Sequence, residues 1–406
     1  MKVLYITYDG LTDPLGQSQV LPYVIGLAKK GHDFTILSCD KPINYQKNNS
    51  LIQKICDTNN IKWESVKYSN KIPVISSVWN ILKLNIKTKK LITTHQYKIL
   101  HCRSYLSSLI GLAFKQKVNI KLIFDMRGFW ADERIEGGIW GLNNPIFNKI
   151  YNYFKKKEIE FIKYSDQIIS LTETGKTEIL AWNINNINPN KIQVIPCAAD
   201  YKLFTLNSID KKKIAKQNLM LNENTFVVSY IGSIGTWYLL DEMLEFYSYL
   251  KTTKSDCKFL FLTPDDKQII LNHGEKYGLT PNDFIVKFSP RADLPKYASA
   301  SDISIFFIKP SFSKKASSPT KMGELMAMGI PIICNNNVGD VELIINKTKS
   351  GYCLNDFSPD SYKIAIEQIN NLMNINPSEI REKSKEFYDL EKGITLYNDV
   401  YEKLSS

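Results

Sequence analysis

Apolar residues gather along the first half of the chain in short runs: KVLYIT, DFTILS, IKWESVKY, KILHC, KLIFDM, QIISL and KIQVIP. Most are rich in Val and Ile and apolar on successive positions, the pattern of strands buried on both faces. Between most of them lie helix-length segments at 18–30, 76–93, 104–116, 145–164 and 174–182. Repeated β-α alternation predicts a parallel sheet with helices on both sides. A turn-rich segment at 197–210 interrupts the pattern, which then restarts with TFVVSYIG, KFLFLT, FIVKFS, ISIFFI and PIICN, with helices at 240–251 and 265–277. The expected architecture is therefore α/β, with two Rossmann-like, doubly wound parallel-sheet domains, residues 1–200 and 201–389, facing a central cleft. The tail from 377 reads as helical, and its last helix, 390–404, has Ile394, Leu396, Val400 and Leu404 at helical spacing. Open parallel sheets bind ligands beyond the carboxyl ends of their strands, so chemistry is expected in the loops that follow strands.

Composition narrows the classes. A chain of 406 residues exceeds one ordinary core, and 44% hydrophobic with 23% charged residues is a globular balance. The start, MKVLYITYDG, reads as a first strand rather than a signal peptide, and no apolar stretch approaches the ~20 residues of a membrane span. The seven cysteines (39, 56, 102, 197, 257, 334 and 353) show no CxxC and no Cys/His pair at zinc spacing. A cytoplasmic protein without structural metal is the expectation. The net charge of +11 fits either a solvated Lys-rich surface or an anionic partner. No basic motif with interleaved aromatics points to nucleic acid, which leaves nucleotide diphosphates and anionic lipid head groups.

Four loops carry candidate chemistry. After the first strand, Gly16, Gln17 and Ser18 precede an apolar helix. A glycine there lets backbone approach a ligand, and the helix start offers N–H groups to an anion. The alternative is a tight strand-to-helix turn. In the second half, SSPTKMGELMAMGIPIICNNNVGD has Pro319 in the first turn of a helix, Thr320 and Lys321 beside it, Glu324 one turn in, and Met328-Gly329 at its close. Such a helix start can hold a diphosphate, and Glu324 can accept two ribose hydroxyls, unless it only complements the helix dipole. The turn YIGSIGTWY offers room at Gly232 and Gly235 and hydroxyls at Ser233 and Thr236. Finally, His101 and Arg103 in HCRSY, and Asp125, Arg127, Phe129, Trp130, Asp132, Glu133 and Arg134 in FDMRGFWADERIEGG, form a charged and aromatic set suited to a sugar acceptor. Each of these charges could equally serve a loop salt bridge.

The runs PLGQSQVLPYVIGLAKKGH, VIPCAADYKLF and SPTKMGELMAMGIPIICNNNVGD, in this order and spacing, resemble the family-4 retaining glycosyltransferases of the GT-B fold, in the subgroup with an SPTK-type donor motif. The resemblance implies transfer from a nucleotide-sugar donor to a glycan or lipid-linked saccharide acceptor in bacterial cell-surface polysaccharide biosynthesis, with no cofactor and no metal. It implies that Gly16 contacts the donor diphosphate, that Pro319, Thr320 and Lys321 meet it through backbone amides, and that Glu324 binds the ribose. It also implies that the last helix returns to the first domain. Three positions depart from the family pattern: Ala316 stands where another Glu contacts the donor sugar, Ser233 where an Arg is usual, and Asp125 where an acceptor-side His is usual. Lys309, Lys314, Lys315 or Lys321 are candidates for the missing positive charge, and His101 and Arg103 for sharing the acceptor task. A nucleotide-sugar epimerase of the same fold and an inactive nucleotide-sugar-binding module are the rival readings. A monomer or homodimer is expected, with loose attachment to the inner membrane surface. The basic and aromatic segment IFNKIYNYFKKKEIEFIKYSD is the candidate contact, against the plainer reading of a surface helix.

Overall fold

The computed structural model describes residues 1–184 and 187–405. The chain divides into two compact units, Met1–Pro196 with the last helix, and Cys197–Asp389. In the first unit seven parallel strands are β1 (Lys2–Thr7), β2 (Asp33–Asp40), β3 (Lys62–Lys67), β4 (Ile99–Arg103), β5 (Lys121–Asp125), β6 (Gln167–Ser170) and β7 (Ile192–Val194), in the order β3-β2-β1-β4-β5-β6-β7. In the second, β8 (Phe226–Ile231), β9 (Cys257–Leu262), β10 (Phe284–Lys287), β11 (Ile303–Phe306), β12 (Ile332–Asn335) and β13 (Gly351–Leu354) run in the order β10-β9-β8-β11-β12-β13. The central strands β1, β4, β8 and β11 are almost wholly buried, which is why they read as continuous apolar runs. Strand β3 lies on the sheet edge and is half-exposed throughout, so its sequence is mixed.

Strand order reverses once in each sheet, between β1 and β4 and between β8 and β11. Loops leaving these neighbours diverge to opposite faces of the sheet and open a crevice at the strand ends. Both reversals carry residues singled out in the sequence.

The last helix, Leu390–Ser405, packs on Leu21–Lys29 of the first unit. Glycines make the close approach possible: a Cβ on Gly26 would come within 2.2 Å of Ile394, and one on Gly393 within 2.8 Å of Tyr23. The buried stripe is Ile394, Tyr397, Val400 and Tyr401. Leu396 and Leu404, read at the same helical spacing, are only half-buried. The two tyrosines take their place because the stripe meets polar groups at the strand ends as well as apolar ones.

Two further expectations are corrected. The charged segment after β5 is not a loop throughout, since Trp130–Glu136 is helical with Asp132 and Glu133 in its first turn. The helix after β1 begins earlier than expected, at Pro14, so Gly16 and Gln17 lie within a short helix, Pro14–Gln19, rather than in a loop before one. Proline at the first position pre-sets the helical φ.

Candidate functional site

In the second unit the helix Thr320–Ala327 starts with Pro319 at the N-cap rather than inside the first turn. Proline has no side chain to cap the first amides, which leaves that task to another acceptor. The helix is braced from behind by Pro377–Tyr388. The Tyr388 ring lies under Gly323, where a Cβ would come within 2.6 Å of it. The Arg381 guanidinium donates to the carbonyls of Ala327, Phe204 (2.7 Å) and Tyr201 (2.8 Å), tying the helix end to the turn after Cys197. Ser318 Oγ accepts from the Cys197 N–H at 3.2 Å, fixing the helix start to that same segment.

Lys321 and Glu324 leave this helix in different directions. Lys321 reaches back to the end of β8, where its Nζ donates to Tyr230 Oη at 3.1 Å. The ammonium lies 3.6 Å from the Tyr238 ring centroid and 4.3 Å from that of Tyr230, so it is held by the faces of two rings. Burial pulls its pKa well below the usual ammonium value, with Glu324 opposing. Directly above it is Gly232, at φ +117°, where a Cβ would stand 2.8 Å from the Lys321 Nζ. Gly232 thus meets two requirements at once, a left-handed backbone and room for the lysine. No atom lies within 4 Å of a Cβ built on Gly235, so that glycine faces open space.

Ser233 and the Ile234 N–H both donate to Asp265, at 2.9 and 2.6 Å. Asp265, at the end of β9, also accepts from Thr263 at 2.9 Å. Burial pushes its carboxyl up, but these hydrogen bonds outweigh it and hold the pKa below the usual carboxylate value. The glycine turn is therefore pinned by a carboxylate that sequence reasoning missed. Of the four lysines offered as the missing charge, Lys321 is under the turn, and Lys314 lies 3.6 Å over the ring of Trp237 two residues beyond it. Lys315 lies over Phe312, and Lys309 is exposed.

Glu324 is 6% exposed, and its Oε1 accepts from the Arg291 guanidinium. Arg291, in the turn after β10, also stacks over Phe204 at 5.2 Å. Burial raises the Glu324 pKa, with Arg291 and then Lys321 pulling it back. Arg291 gave no signal in the sequence, because nothing local links it to a residue 33 positions away.

In the first unit the strand ends of β1, β4 and β5 bring His101, Arg103, Asp125 and Arg127 together. Asp125 is 1% exposed. Around its carboxylate are Tyr397 Oη, donating at 3.2 Å, His101 Nε2 at 3.5 Å and Arg127 Nη1 at 3.7 Å. Arg103, beside them, faces Asp9 at 3.5 Å. Burial raises the Asp125 pKa, but Arg127, then His101 and Arg103, bring it below the usual value. Arg127 has φ +61° and Gly128 φ +127°. A left-handed non-glycine residue at a strand end is stored strain, of order 1–3 kcal/mol, held by its surroundings. His101 Nδ1 is 2.6 Å from Tyr401 Oη, and its ring packs 4.4 Å from that of Tyr5.

Two further charges of that segment make contacts within the unit. Asp132 accepts from Tyr151 and Lys155 at 2.8 Å each, and Arg134 lies over the Trp130 ring at 5.1 Å. Phe129 is buried against Trp182. Gly16 is required by its own neighbours, since a Cβ there would be 2.2 Å from the Gly10 carbonyl. Gln17 Nε2 donates to the Thr12 carbonyl at 2.9 Å. The same loop is gathered by buried Asp40, whose carboxylate accepts from Thr12 N–H and Oγ1 and from Ser38 and Ser65. Among the described residues no three His, Cys, Asp or Glu side chains meet as a metal site.

His101 gives a pH signature. Burial lowers its pKa below the unfolded value of about 6.5, with Asp125 opposing and Arg103 and Arg127 adding to the fall. The unfolded chain therefore takes up a proton first as pH drops, so this stability is present above about pH 6.5 and is lost below it. His32 has the same sign. Melting by calorimetry from pH 7.5 to 5.5 is expected to show a falling transition for the first unit, with a shallower fall in His101→Gln. An unchanged slope in that variant rules out the neutral buried histidine.

Two Rossmann-like parallel-sheet units, with the last helix returned to the first, define the GT-B fold. Solved structures agree. Sucrose-phosphate synthase from Thermosynechococcus elongatus is 14% identical, with a TM-score of 0.71 over 100% of this chain and 99% of that one. Anabaena Alr3699/HepE in complex with UDP and glucose is 13% identical, with a TM-score of 0.68 over 100% of both chains. WaaG, a glycosyltransferase involved in lipopolysaccharide biosynthesis, is 13% identical, with a TM-score of 0.69 over 98% of this chain and 99% of that one. No curated protein sequence matches the chain. Two family models do: "Glycosyltransferase Family 4" over residues 19–203 and "Glycosyl transferases group 1" over residues 211–387. Between them they span most of the chain, which belongs to the family-4, group-1 glycosyltransferases.

Proposed function

We propose that this chain is a retaining, metal-independent glycosyltransferase of the SPTK subgroup, which moves a sugar from a nucleotide-sugar donor to a glycan or lipid-linked saccharide in cell-surface polysaccharide assembly. The observation that carries the donor half is the geometry at the β8/β11 reversal. One helix sends Lys321 under the open Gly232 turn and Glu324 toward Arg291. A diphosphate at this helix start meets backbone amides and a lysine whose desolvation makes an anion welcome. Charge that builds on the leaving diphosphate is stabilised there without a metal. Glu324 takes the ribose hydroxyls. Lys321 supplies the positive charge that the family places at the position of Ser233.

The acceptor belongs to the strand ends of the first unit. The burial of Asp125 favours an orienting role, in which it holds Arg127 and His101 toward the acceptor hydroxyl, over direct proton removal. The enzyme works at the cytoplasmic membrane face, where lipid-linked acceptors lie. The Anabaena structure of the same fold contains UDP and glucose, so uridine diphosphate sugars are the first donors to test.

Calorimetry with a panel of nucleotide sugars, followed by transfer assays in excess chelator, tests this reading. Binding of one donor and transfer that survives the chelator are expected. Complete loss in chelator overturns the metal-free mechanism, and conversion of the donor without acceptor favours an epimerase. Lys321→Ala is expected to weaken diphosphate-containing ligands by roughly tenfold, about 1.5 kcal/mol. Affinity for the bare nucleoside should not change. An equal loss for nucleoside and nucleotide sugar assigns Lys321 to packing alone.

A further inference from the structure

The helix Ile75–Thr94, between β3 and β4, is built inside out. Its inward positions are Ser76, Asn80, Leu84, Thr88 and Leu91, three of them polar. Its outward positions are Ile75, Val78, Trp79, Leu82 and Ile86, all exposed, with Trp79 at 56% and Ile86 at 67%. These fall at i, i+3, i+4, i+7 and i+11, one continuous stripe, and exposed Ile72 extends it before the first turn. An amphipathic helix normally turns such a stripe to the core. Here two of the three polar groups inside find local partners: Asn80 bonds Ser69 through both its amide groups, and Ser76 accepts from the Ile72 N–H.

Charge on this part of the chain is as one-sided. From residue 65 to 124 there is no Asp or Glu, and there are 11 Lys and Arg. The other 41 basic residues of the chain are matched by its 41 acidic ones, so this segment carries the whole net charge of +11. Part of it is neutralised from outside, Lys87 by Glu64 and Lys115 by Asp166. Lys71, Lys89 and Lys90, at the two ends of the apolar stripe, are exposed.

We propose that the helix Ile75–Thr94 docks the enzyme flat on an anionic lipid bilayer, with the stripe in the head-group boundary and the lysines on lipid phosphates. This deepens the membrane-face part of the proposed function by naming the surface, and is independent of the transfer chemistry. The pattern suits lying on a membrane and not crossing one. Four lysines interrupt the helix, and no helix among the described residues is long and apolar enough to span. A second copy of the chain fits less well, because a two-fold contact would set this acid-free, lysine-bearing face against itself. The segment 145–164, singled out in the sequence, is the weaker candidate. Its outward face alternates Ile146, Lys149, Tyr153 and Lys156, while Phe154, Phe161 and Ile162 turn inward.

The test is co-sedimentation of the full chain with vesicles of phosphatidylcholine, alone or with one-third phosphatidylglycerol. Binding is expected only to the anionic vesicles and should weaken with salt. The triple variant Trp79→Ser, Leu82→Ser and Ile86→Ser, and separately Lys89→Glu with Lys90→Glu, should each lower the partition at least ~10-fold. Their melting temperature and nucleotide-sugar affinity should stay at the wild-type value, because every altered side chain is exposed. No vesicle binding by the wild type, or equal binding by the triple variant, overturns the proposal. So does a wild-type dimer that the triple variant dissolves. If Ile146→Ser with Tyr153→Ser abolishes binding while the triple variant retains it, the bilayer contact lies on the other helix, and the proposal again fails. Any of these failures leaves the donor site untouched.

Discussion

Glu324→Ala is expected to weaken nucleotide-sugar binding roughly 30- to 150-fold while barely lowering the melting temperature. Two hydroxyl hydrogen bonds to a charged acceptor, net of the water that replaces them, contribute about 2–3 kcal/mol. Stability changes little because the partner left behind, Arg291, has a side chain 34% exposed and can turn to solvent. The reciprocal change behaves oppositely. Arg291→Ala strands a carboxylate that is 6% exposed, leaving only Lys321 as a compensating charge. Removing one partner of a buried pair costs about 3–5 kcal/mol, and the lower end applies because this pair opens to water on the arginine side. Glu324 then has reason to protonate, and a neutral carboxyl is a poorer hydroxyl acceptor. Arg291→Ala should therefore lose more stability than Glu324→Ala and less affinity. Calorimetric titration and thermal melting on both variants decide it. Equal stability losses with unchanged affinity reduce Glu324 to an ion-pair partner and remove the ribose assignment.

The sequence made the helix Thr320–Ala327 legible because its signals are local. Pro319, Lys321, Glu324 and Gly329 lie within eleven positions and mark the start, first turns and close of the helix, although Lys321 and Glu324 reach partners on other elements. The alternation of strands was legible for a similar reason, since burial on both faces leaves an uninterrupted apolar run. Partners contributed by distant strands were not legible. Asp265 pins the Gly232 turn from the end of the neighbouring strand, and Tyr401 meets His101 from 300 residues away. The chain order of these residues carries no trace of the contact, although tyrosines spaced by four on a terminal helix were a usable hint of a stripe with polar tips. The outward stripe of Ile75–Thr94 was hidden in another way. Periodicity shows that one face of a helix is apolar, but not which way that face points.

Asp125→Ala is expected to lower the melting temperature of the first unit by roughly 10 °C and to abolish transfer. The carboxylate balances Arg127 from its own loop and faces His101 from the next strand, and its Tyr397 hydrogen bond ties the last helix to the strand ends. Without it Arg127 and Arg103, whose side chains are 9% and 4% exposed, hold two positive charges in a nearly dry site that has lost a carboxylate. Leaving buried charge uncompensated costs about 3–5 kcal/mol, and for a unit of this size each kcal/mol moves the melting point by about 2–4 °C. Arg127 also loses the attraction that offsets its left-handed backbone, so its guanidinium should swing away from the strand end. Tyr397→Phe, which removes one hydrogen bond and no charge, should cost only about 1 kcal/mol. Calorimetry that resolves the two units should show the first transition shifted and the second in place. If Asp125→Ala melts like the wild type yet fails to transfer sugar, the carboxylate touches the acceptor directly and its role as the anchor of the arginine pair is wrong.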